Sequence, residues 1–442
     1  MTEDGPRLAM VVNNAVTGDS RVLRCATAAV EAGFRVQVLG RSPTTEHHRI
    51  ELPDLPGAEV VLVPVPPSLA RRERTPAART LRRRARETLA RRDAVAGHGG
   101  PGSRLRHGAW RLLDPWVQDL ELALAPALED LRPHVVHAHD RHTVSLTARS
   151  VAALRARGHP TGWVLDAHEY VAATAARDAG GLRGLVRRRM VTGLQDEFIR
   201  EADAVITVSE TLARMLQSDH RLLDEPAVVL NAPLVRPRRR PAPDVRDAAG
   251  LDRGVPLLVY SGGCAPQRGV ETLVDVLALL PTVHVALVAR PDDPGLADLV
   301  SRVTAAGASD RLHVLPYVPA QDVVGYLAGA DVGVIPLLHR PNHEISLVTK
   351  YLEYLHAGLP VVCSDVREMA TFTSTHGLGE VFAAGDVAGL ARAVSTVLQA
   401  PDGYATGRTP VLLDEYSWPR QAERLAAVYR EVLVRGSRSL RM

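Results

Sequence analysis

The sequence predicts an α/β protein with two Rossmann-like domains, each a parallel sheet covered by helices on both faces. Two observations predict this class. Short apolar runs alternate with amphipathic segments of helical period along the 442 residues. A proline- and arginine-rich stretch, PLVRPRRRPAP, interrupts the alternation at residues 233–243 and has the composition of an exposed linker between domains.

Composition narrows the function classes. With 46% hydrophobic residues the chain can bury a core large enough for two domains. A net charge of +3 with 23% charged residues excludes a nucleic-acid-coating protein and an acidic disordered one. The three cysteines, Cys25, Cys264 and Cys363, have no paired spacing, so neither a disulfide framework nor a cysteine zinc site is predicted. No signal core and no run of about 18 apolar residues is present, so a cytoplasmic location is expected.

Thirteen strands are predicted from the apolar runs. In the first half they are 7–13, 36–40, 60–65, 135–138, 163–167, 204–208 and 227–230. In the second half they are 256–260, 284–289, 312–315, 332–336, 360–364 and 380–382. The tail, 418–434, is predicted to be one more amphipathic helix. Ligands of open parallel sheets bind beyond the carboxyl ends of the strands, so the loops there are the candidate sites.

A basic insertion interrupts the first half. Residues 71–93 hold ten arginines and three acidic residues, and the glycine-rich HGGPGS follows. Three interpretations stay open: a solvated and partly disordered helix, a surface for an anionic membrane, or a surface for an anionic acceptor. The few leucines argue against deep insertion into lipid.

The most informative residue is Lys350, the only lysine among 53 lysine and arginine residues. An ammonium is a compact point charge and a guanidinium is a planar fork, so the two are not interchangeable against phosphate. Chance retention of one lysine on a solvated helix face is the alternative. The arginine-rich usage is associated with GC-rich bacterial genomes.

Lys350 is predicted to lie in the first turn of a helix over 350–357. Ser346 and Thr349 are its N-cap candidates. The free amides of a helix N-terminus attract anions, and an ammonium in that turn adds a full charge. Glu353, one turn further on the same face, can accept hydrogen bonds from hydroxyl groups. A phosphate site beside a hydroxyl acceptor predicts a nucleotide.

The first half offers further candidates after its strands. The loop after the first strand holds Asn13, Asn14 and Gly18 and ends at Asp19, which is expected to cap the next helix. A plain turn without a ligand is the alternative. His168 and Glu169 place an imidazole beside a carboxylate, as a sugar-contacting or proton-handling pair would; a structural histidine is the alternative. A second cluster superficially suggests a metal site and comprises His137, His139, Asp140 and His142.

In the second half, Gly262 and Gly263 follow a predicted strand, and Arg268 ends the loop that they open. Arg268 can clamp a diphosphate. A surface charge at the start of the next helix is the alternative.

Eight segments in order resemble the landmarks of one enzyme family. They are NNAVTGDSRV, PHVVHAHD, VLDAHEY, EADAVITVSE, VVLNAP, YSGGCAPQRGVETLV, ADVGVIP and TKYLEYLHAGLPVV. The family is the family 4 retaining glycosyltransferases, and the resemblance covers nearly the whole chain. It implies the GT-B fold, in which two Rossmann-like domains face a central cleft.

The resemblance implies an organisation for this chain. An acceptor domain spans 1–235 and includes the basic insertion 70–105, a nucleotide-sugar domain spans 250–417, and a helix over 418–442 crosses back to the first domain. The expected catalytic residues are His168, near the reacting carbon of the donor sugar, and Arg268 and Lys350 at the diphosphate. The donor-binding candidates are Gly18, Gly263, Glu344, Ser346, Leu347, Val348, Thr349, Glu353 and Tyr317. The acceptor-binding candidates are Asn13, Asn14, Asp19, His139, Asp140, Glu169 and Tyr170.

Two positions depart from the family pattern. Many relatives clamp the diphosphate with an arginine and a later lysine, and here Gly263 or a neighbour replaces the arginine. The position eight residues before Glu353 is Ile345, where the family motif has a second glutamate; Glu344 is one position away. Glu353 is kept as the ribose ligand, and the sugar preference stays open.

The expected function is transfer of a hexosyl unit from a nucleoside diphosphate sugar to an acceptor with the anomeric configuration retained. The nucleotide sugar is a co-substrate, and no cofactor, metal or nucleic-acid partner is expected; peripheral membrane contact is left open. One alternative is a sugar-nucleotide 2-epimerase, which usually has a GxRPE-like turn where this chain has NNAVTGD. The other is a non-catalytic protein that binds sugar nucleotides.

Overall fold

The computed structural model divides the chain into two compact units, which are Met1–Val229 with Ala422–Met442, and Leu230–Gln421. The structure describes residues 5–51, 57–70, 75–97, 110–175, 181–235 and 243–439. Each unit contains one sheet, so the predicted α/β class with two sheets is confirmed. The predicted linker lies partly outside the described residues, as do both ends of the basic insertion.

The first unit has an eight-stranded sheet in the order β3-β4-β2-β1-β5-β6-β7-β8. Its strands are β1 (Arg7–Val11), β2 (Arg35–Arg41), β3 (His48–Glu51), β4 (Ala58–Val63), β5 (Val135–His139), β6 (Gly162–Asp166), β7 (Ala204–Thr207) and β8 (Ala227–Val228). β3 pairs antiparallel with β4, and the other neighbours are parallel. Sequence analysis missed β3 because its residues, HRIE, are mostly polar and its side chains are at least partly exposed.

The segments that connect these strands contain eight helices among the described residues. They are α1 (Ser20–Glu31), α2 (Pro76–Val95), α3 (Trp110–Leu113), α4 (Pro115–Leu131), α5 (Val144–Ala156), α6 (Val171–Ala175), α7 (Gly181–Phe198) and α8 (Glu210–His220).

The second unit has a six-stranded sheet in the order β11-β10-β9-β12-β13-β14 with all neighbours parallel. Its strands are β9 (Leu257–Ser261), β10 (His284–Val288), β11 (Leu312–Leu315), β12 (Val332–Ile335), β13 (Val361–Ser364) and β14 (Gly379–Phe382). This is the doubly wound order, in which the connections reverse direction between β9 and β12.

Ten helices follow along the described part of the chain, from the short helix α9, which starts with a capping box, to the C-terminal helix α18. They are α9 (Val245–Ala249), α10 (Val270–Asp275), α11 (Leu296–Ala305), α12 (Val323–Leu327), α13 (Pro341–Glu344), α14 (Thr349–His356), α15 (Arg367–His376), α16 (Val387–Gln399), α17 (Pro410–Glu415) and α18 (Trp418–Ser439). The part of α18 from Ala422 onward belongs to the first unit, where the Tyr429 hydroxyl contacts Nδ1 of His137 at 2.7 Å.

A buried ion network anchors α2, the helix of the basic insertion. Arg92 of α2 donates to Glu121 of α4 at 2.8 Å, and Arg149 of α5 donates to the other oxygen of Glu121 at 2.6 Å. Arg149 also pairs with Asp93 of α2. Buried charges are stable only when they are paired and hydrogen-bonded, as they are here. The inner edge of α2 is therefore fixed to the unit, and only its outer face is solvated.

Candidate functional site

The second unit offers a ligand site where its strand order reverses. The chain leaves β9 through Ser261, Gly262 and Gly263, and after β12 it leads to α14, whose first turn carries Lys350. Open parallel sheets bind ligands beyond the carboxyl ends of the two strands at such a point. The two segments that sequence analysis assigned to the diphosphate are therefore neighbours in this unit.

Lys350 is enclosed by an aromatic ring and bare backbone. It is 9% exposed, and its Nζ lies 3.6 Å from the centroid of the Tyr260 ring. The Tyr260 hydroxyl donates to the carbonyl of Gly263 at 2.7 Å, which ties the ring to the glycine turn. A Cβ on Gly262 would lie 2.6 Å from Nζ, and Gly262 has φ +138°. The ammonium thus occupies space that only a glycine at position 262 leaves open.

The charge of Lys350 is poorly compensated in the free protein. Burial lowers the pKa of Lys350 well below its usual value, Arg268 lowers it further, and Glu353 opposes the shift. Burial also raises the pKa of the Tyr260 hydroxyl, and the positive charge of Arg268 opposes this rise. A site with two cations and one acid, closed off from water on one side, favours a polyanion.

The N-terminus of α14 is open to a ligand. Its N-cap residue is Val348, and no side chain makes a capping hydrogen bond there. The predicted caps are therefore wrong: Ser346 lies in the preceding turn, and the hydroxyl of Thr349 accepts a hydrogen bond from Asn231 at 2.8 Å. A helix start without a side-chain cap leaves amide groups for an anion. Leu347 lies half-buried in the same turn.

Arg268 ends a 3-10 turn, Pro266–Arg268, and is half-buried. Tyr317, which follows β11, is 45% exposed; burial raises its pKa, Asp293 adds to the rise, and Arg268 opposes it. The Asp293 carboxylate accepts a hydrogen bond from the Cys264 amide at 3.1 Å. The structure thus brings Arg268, Tyr317 and Lys350 into one electrostatic environment.

The two glutamates differ in their surroundings. One oxygen of Glu344 accepts from the Arg367 amide at the start of α15 at 2.9 Å, and the other lies 2.6 Å from Nδ1 of His339. Both oxygens of Glu344 therefore have partners inside the second unit, which weakens its case as a donor ligand. Glu353 is half-buried on α14, one turn after Lys350.

The first unit also reverses its strand order, between β1 and β5. Asp19 caps α1, as predicted: one of its oxygens accepts from the Val22 amide at 3.1 Å and the other from Nδ2 of Asn14 at 2.8 Å. Gly18 adopts φ +84°, which suits glycine. Oδ1 of Asn13 is buried and has no hydrogen-bond partner among the described residues. The loop therefore presents an unused acceptor at the switch point.

His168 lies between two carboxylates after β6. Its Nε2 is 2.9 Å from Asp140 and its Nδ1 is 3.7 Å from Asp166. Burial alone would lower the pKa of His168, but the close contact with Asp140 and the negative charges of Asp140 and Asp166 raise it to about 10. The predicted partner of His168, Glu169, is exposed. The imidazole is therefore a cation at neutral pH, paired with Asp140 and Asp166.

Asp140 reaches His168 from a strained backbone. It has φ 67° and ψ 162°, a region in which almost only glycine is found. Strain of about 1–3 kcal/mol persists only where the surroundings over-determine the conformation, and such residues cluster at functional sites.

A buried pair supports this histidine. Asp166 accepts from Nε and Nη2 of Arg21 at 2.7 and 2.9 Å. Burial would raise the pKa of Asp166, but Arg21 and the neighbouring histidines hold it well below its usual value. His139 stacks on His137 with ring centroids 3.9 Å apart, and burial lowers the pKa of His137 to about 3.

The same residues have a metal-like arrangement. His137, His139 and Asp166 bring potential ligand atoms within 4.8 Å of one another. Both oxygens of Asp166 are already bonded to Arg21, so a divalent cation would lie beside a buried guanidinium or displace it. The donor set fits an arginine better than a metal ion.

Tyr170 lies in a separate polar pocket. Its hydroxyl donates to Asp219 at 2.8 Å. The pocket, with a volume of about 230 Å³, lies between α7 and α8 and is also lined by Arg188 and Gln195. Glu169 is exposed beside it, so the predicted acceptor residues form two groups: one at the switch point and one here.

Sequence analysis did not identify four of the residues that hold these sites, namely Tyr260, Asp166, Arg21 and Tyr429. Tyr260 and Asp166 lie in apolar strand segments, where the sequence pattern predicts only core residues. Arg21 is 145 positions from its partner, so no local spacing indicates the pair. The acid Asp166 at the end of the apolar run WVLD was the one available signal.

Comparisons with known proteins find related sequences. Residues 255–400 match the family model described as Glycosyl transferases group 1. The chain is 27% identical to an alpha-maltose-1-phosphate synthase of Mycolicibacterium smegmatis, over 72% of this chain and 86% of that protein. It is 26% identical to a 2-deoxystreptamine N-acetyl-D-glucosaminyltransferase of Streptomyces fradiae, over 76% of this chain and 81% of that protein.

Solved structures share the fold. A sucrose-phosphate synthase from Thermosynechococcus elongatus has a TM-score of 0.68 at 16% identity and covers 97% of this chain and 99% of its own. Anabaena Alr3699/HepE, solved in complex with UDP and glucose, has a TM-score of 0.61 at 14% identity. The match covers 96% of this chain and 99% of that one. The expected GT-B fold class is thereby confirmed. Among the described residues, no helix is long and apolar enough to cross a membrane.

Proposed function

Because this chain is a glycosyltransferase of the group 1 family, we propose that it transfers a hexosyl unit from a nucleoside diphosphate sugar to an acceptor and retains the anomeric configuration. One observation carries the proposal: Lys350 is buried against Tyr260 and Gly262 at an uncapped helix start, with Arg268 close enough to lower its pKa. This concentration of positive charge suits a diphosphate leaving group.

In this proposal the donor diphosphate lies against Lys350, Arg268 and the first amides of α14, and Glu353 accepts hydrogen bonds from the ribose. Tyr317, Gly263 and the turn from Ser346 to Thr349 line the same donor site. Anabaena Alr3699/HepE, which shares the fold, binds UDP and glucose, and this supports the same ligand class here.

The first unit supplies His168 and the acceptor side, with Asn13, Asn14, Asp19, His139 and Asp140 at the switch point. A histidine with a pKa of about 10 is protonated at neutral pH, so His168 positions the sugar through its pair with Asp140 and does not act as a base.

The chemical step follows from this charge arrangement. The bond from the anomeric carbon to the diphosphate oxygen breaks, the bond from that carbon to the acceptor atom forms, and the acceptor proton passes to the departing diphosphate. Lys350 and Arg268 stabilise the charge that develops on the leaving oxygen. No protein nucleophile, cofactor or metal ion takes part in this proposal.

The test is calorimetric binding of UDP, ADP, GDP and dTDP to the wild type and to Lys350→Met, followed by release of the nucleotide from the matching hexose donors. The expected result is binding of at least one nucleotide and a loss of about 10²–10³-fold in turnover for the variant. Arg253→Met, at an exposed arginine, is the matched control. Full turnover in Lys350→Met would overturn the proposal.

A further inference from the structure

We propose that the outer face of α2, together with the exposed arginines of α7, binds the anionic headgroups of a lipid surface. This binding does not depend on the proposed glycosyl transfer. The face is defined by Arg79, Arg83, Arg84, Arg86 and Arg91 on α2 and by Arg188 and Arg189 on α7, all of them exposed.

The arginines of α2 are presented by a rigid support. The opposite side of α2 is buried through Ala78, Ala85 and Leu89, and Asp93 extends the buried stripe into the ion network. A helix of 20 residues is about 30 Å long, so the charges are distributed over a broad, fixed strip. Burial of one side leaves the arginines pointing outward.

The exposed charge is almost all positive. Glu87 is the exposed acidic residue on α2, and it lies 3.9 Å from Arg83. A groove of about 380 Å³ runs along this side of the helix and is lined by Arg79, Arg82, Arg83, Arg86, Glu87 and Ala90. A guanidinium group can donate two parallel hydrogen bonds to two oxygens of one phosphate, so the arginine-lined groove suits phosphate groups.

A second helix extends the face. α2 and α7 both pack against α5, so the two arginine-bearing helices belong to one three-helix cluster of the unit. An extended two-helix surface matches a plane of headgroups better than a single small anion, for which a few of these arginines would suffice.

Apolar side chains on the same helices favour lipid over a soluble polyanion. Leu81 is 44% exposed and Val95 is 54% exposed, and they share one stripe of α2 with Arg84 and Arg91 at helical spacing. Val186 on α7 is 50% exposed. Apolar groups beside cations suit the boundary between headgroups and acyl chains, whereas a polyphosphate gains nothing from them.

The experiment is co-sedimentation of the full chain with vesicles of phosphatidylcholine alone or mixed with phosphatidylglycerol, at two salt concentrations. The wild type is expected to bind the mixed vesicles, less so at high salt. Arg79→Gln/Arg83→Gln/Arg86→Gln is expected to bind about 100-fold more weakly, since each arginine near an anionic surface contributes about fivefold. The matched control changes net charge equally at the exposed arginines Arg253, Arg392 and Arg430 and is expected to bind as the wild type does.

The other outcomes overturn the proposal. An equal loss in both triple variants would show an effect of net charge alone. Leu81→Ser/Val95→Ser is expected to weaken vesicle binding and leave binding of inorganic polyphosphate unchanged. If polyphosphate binds at lower concentration than the mixed vesicles and the serine variant changes neither, the partner is a soluble polyanion. Absence of vesicle binding by a wild type that melts cooperatively would also refute a lipid surface.

Discussion

The ammonium of Lys350 lies over the ring of Tyr260, with Nζ 3.6 Å from the ring centroid. A cation over a buried aromatic ring is attracted by the ring quadrupole, and this attraction substitutes in part for the lost hydration. The arrangement holds Lys350 in place before any anion arrives, so a diphosphate would meet a preorganised charge. Two expectations for nucleotide binding and one for the stability of the free protein follow from it.

Gly262→Ala tests whether the glycine turn positions Lys350. The new Cβ would lie 2.6 Å from Nζ, and at φ +138° the alanine backbone is also strained. Because Nζ is the end of a flexible side chain, we expect the ammonium to move and the fold to survive with a stability loss of about 1–2 kcal/mol. Affinity for the nucleotide identified by calorimetry should fall at least about tenfold.

Gly254→Ala is the matched control for this variant, since an added Cβ at Gly254 meets nothing within 4 Å. It should bind the nucleotide as the wild type does. Unchanged affinity in Gly262→Ala would show that the ammonium is not part of the nucleotide site.

Nucleotide binding should be coupled to proton uptake at Lys350. Burial and Arg268 hold the pKa of Lys350 well below its usual value in the free protein, and a bound diphosphate would raise it again. The complex then holds more protons than the free protein, so affinity falls as pH rises through the lowered pKa. Calorimetry in buffers of different ionisation enthalpy measures the proton uptake. We choose pH 8 and 9 because the phosphate groups of the nucleotide titrate at about pH 6 and do not contribute there.

Lys350→Met should lose this buffer dependence. Equal uptake in the variant and the wild type would place the titrating group elsewhere.

Removal of the buried charge should leave the free protein at least as stable as the wild type. Because the folded pKa of Lys350 is lower than the unfolded one, the unfolded chain binds the proton more tightly, and the penalty is present at pH values below about 10.5. Lys350→Met is therefore expected to melt at or above the wild-type temperature at pH 7. A clear decrease would mean that the ammonium stabilises the fold.

Variants of Asp140 separate its backbone strain from its ion pair with His168. Asp140→Gly and Asp140→Asn both remove the carboxylate, but only glycine relieves the backbone at φ 67° and ψ 162°. We expect Asp140→Gly to be more stable than Asp140→Asn, by up to about 1–3 kcal/mol. In both variants the pKa of His168 should fall from about 10 toward its usual value.

Proton NMR of the His168 ring measures the pKa, and thermal unfolding compares the two variants. The raised pKa contributes stability that is complete below about pH 6.5 and is lost as pH rises through about 10, and this contribution should shrink in both. A wild-type His168 that titrates near 6.5 would contradict the ion pair, and equal stability of the two variants would contradict the strain.

The sequence predicted most strands because buried parallel strands are continuous apolar runs, as in β9 and β12. It also predicted that Lys350 and Glu353 share one helix, as they do on α14. It could not identify Tyr260 as the support of Lys350, because an aromatic residue inside an apolar strand is equally a core residue. The caps of α14 were predicted wrongly because polar residues at 346 and 349 fit the cap preference, whereas the chain turns at Val348.

The histidine–aspartate network shows a second limit of the sequence. His168 was predicted to pair with the adjacent Glu169, but sheet topology brings Asp140 from the end of β5 and Asp166 from the end of β6 to it. Adjacent residues at the end of a strand point to opposite sides, so contiguity in sequence is a poor guide to contact there. Parallel neighbours deliver their carboxyl ends to the same edge, and this determines which groups meet.

The ion network under α2 predicts a large stability loss for Arg149→Met. Arg149 is 1% exposed and bonds to Glu121, which is fully buried, and to Asp93. Its removal leaves two carboxylates without one of their cations, so we expect a loss of about 3–5 kcal/mol. Urea unfolding followed by hydrogen exchange in α2 and α5 measures the loss within the first unit, since two units need not unfold in one step. Arg302→Met, which breaks the exposed pair with Asp275, is the control and should cost at most about 1 kcal/mol. If the two variants were equally stable, the buried network would not be what anchors the insertion helix.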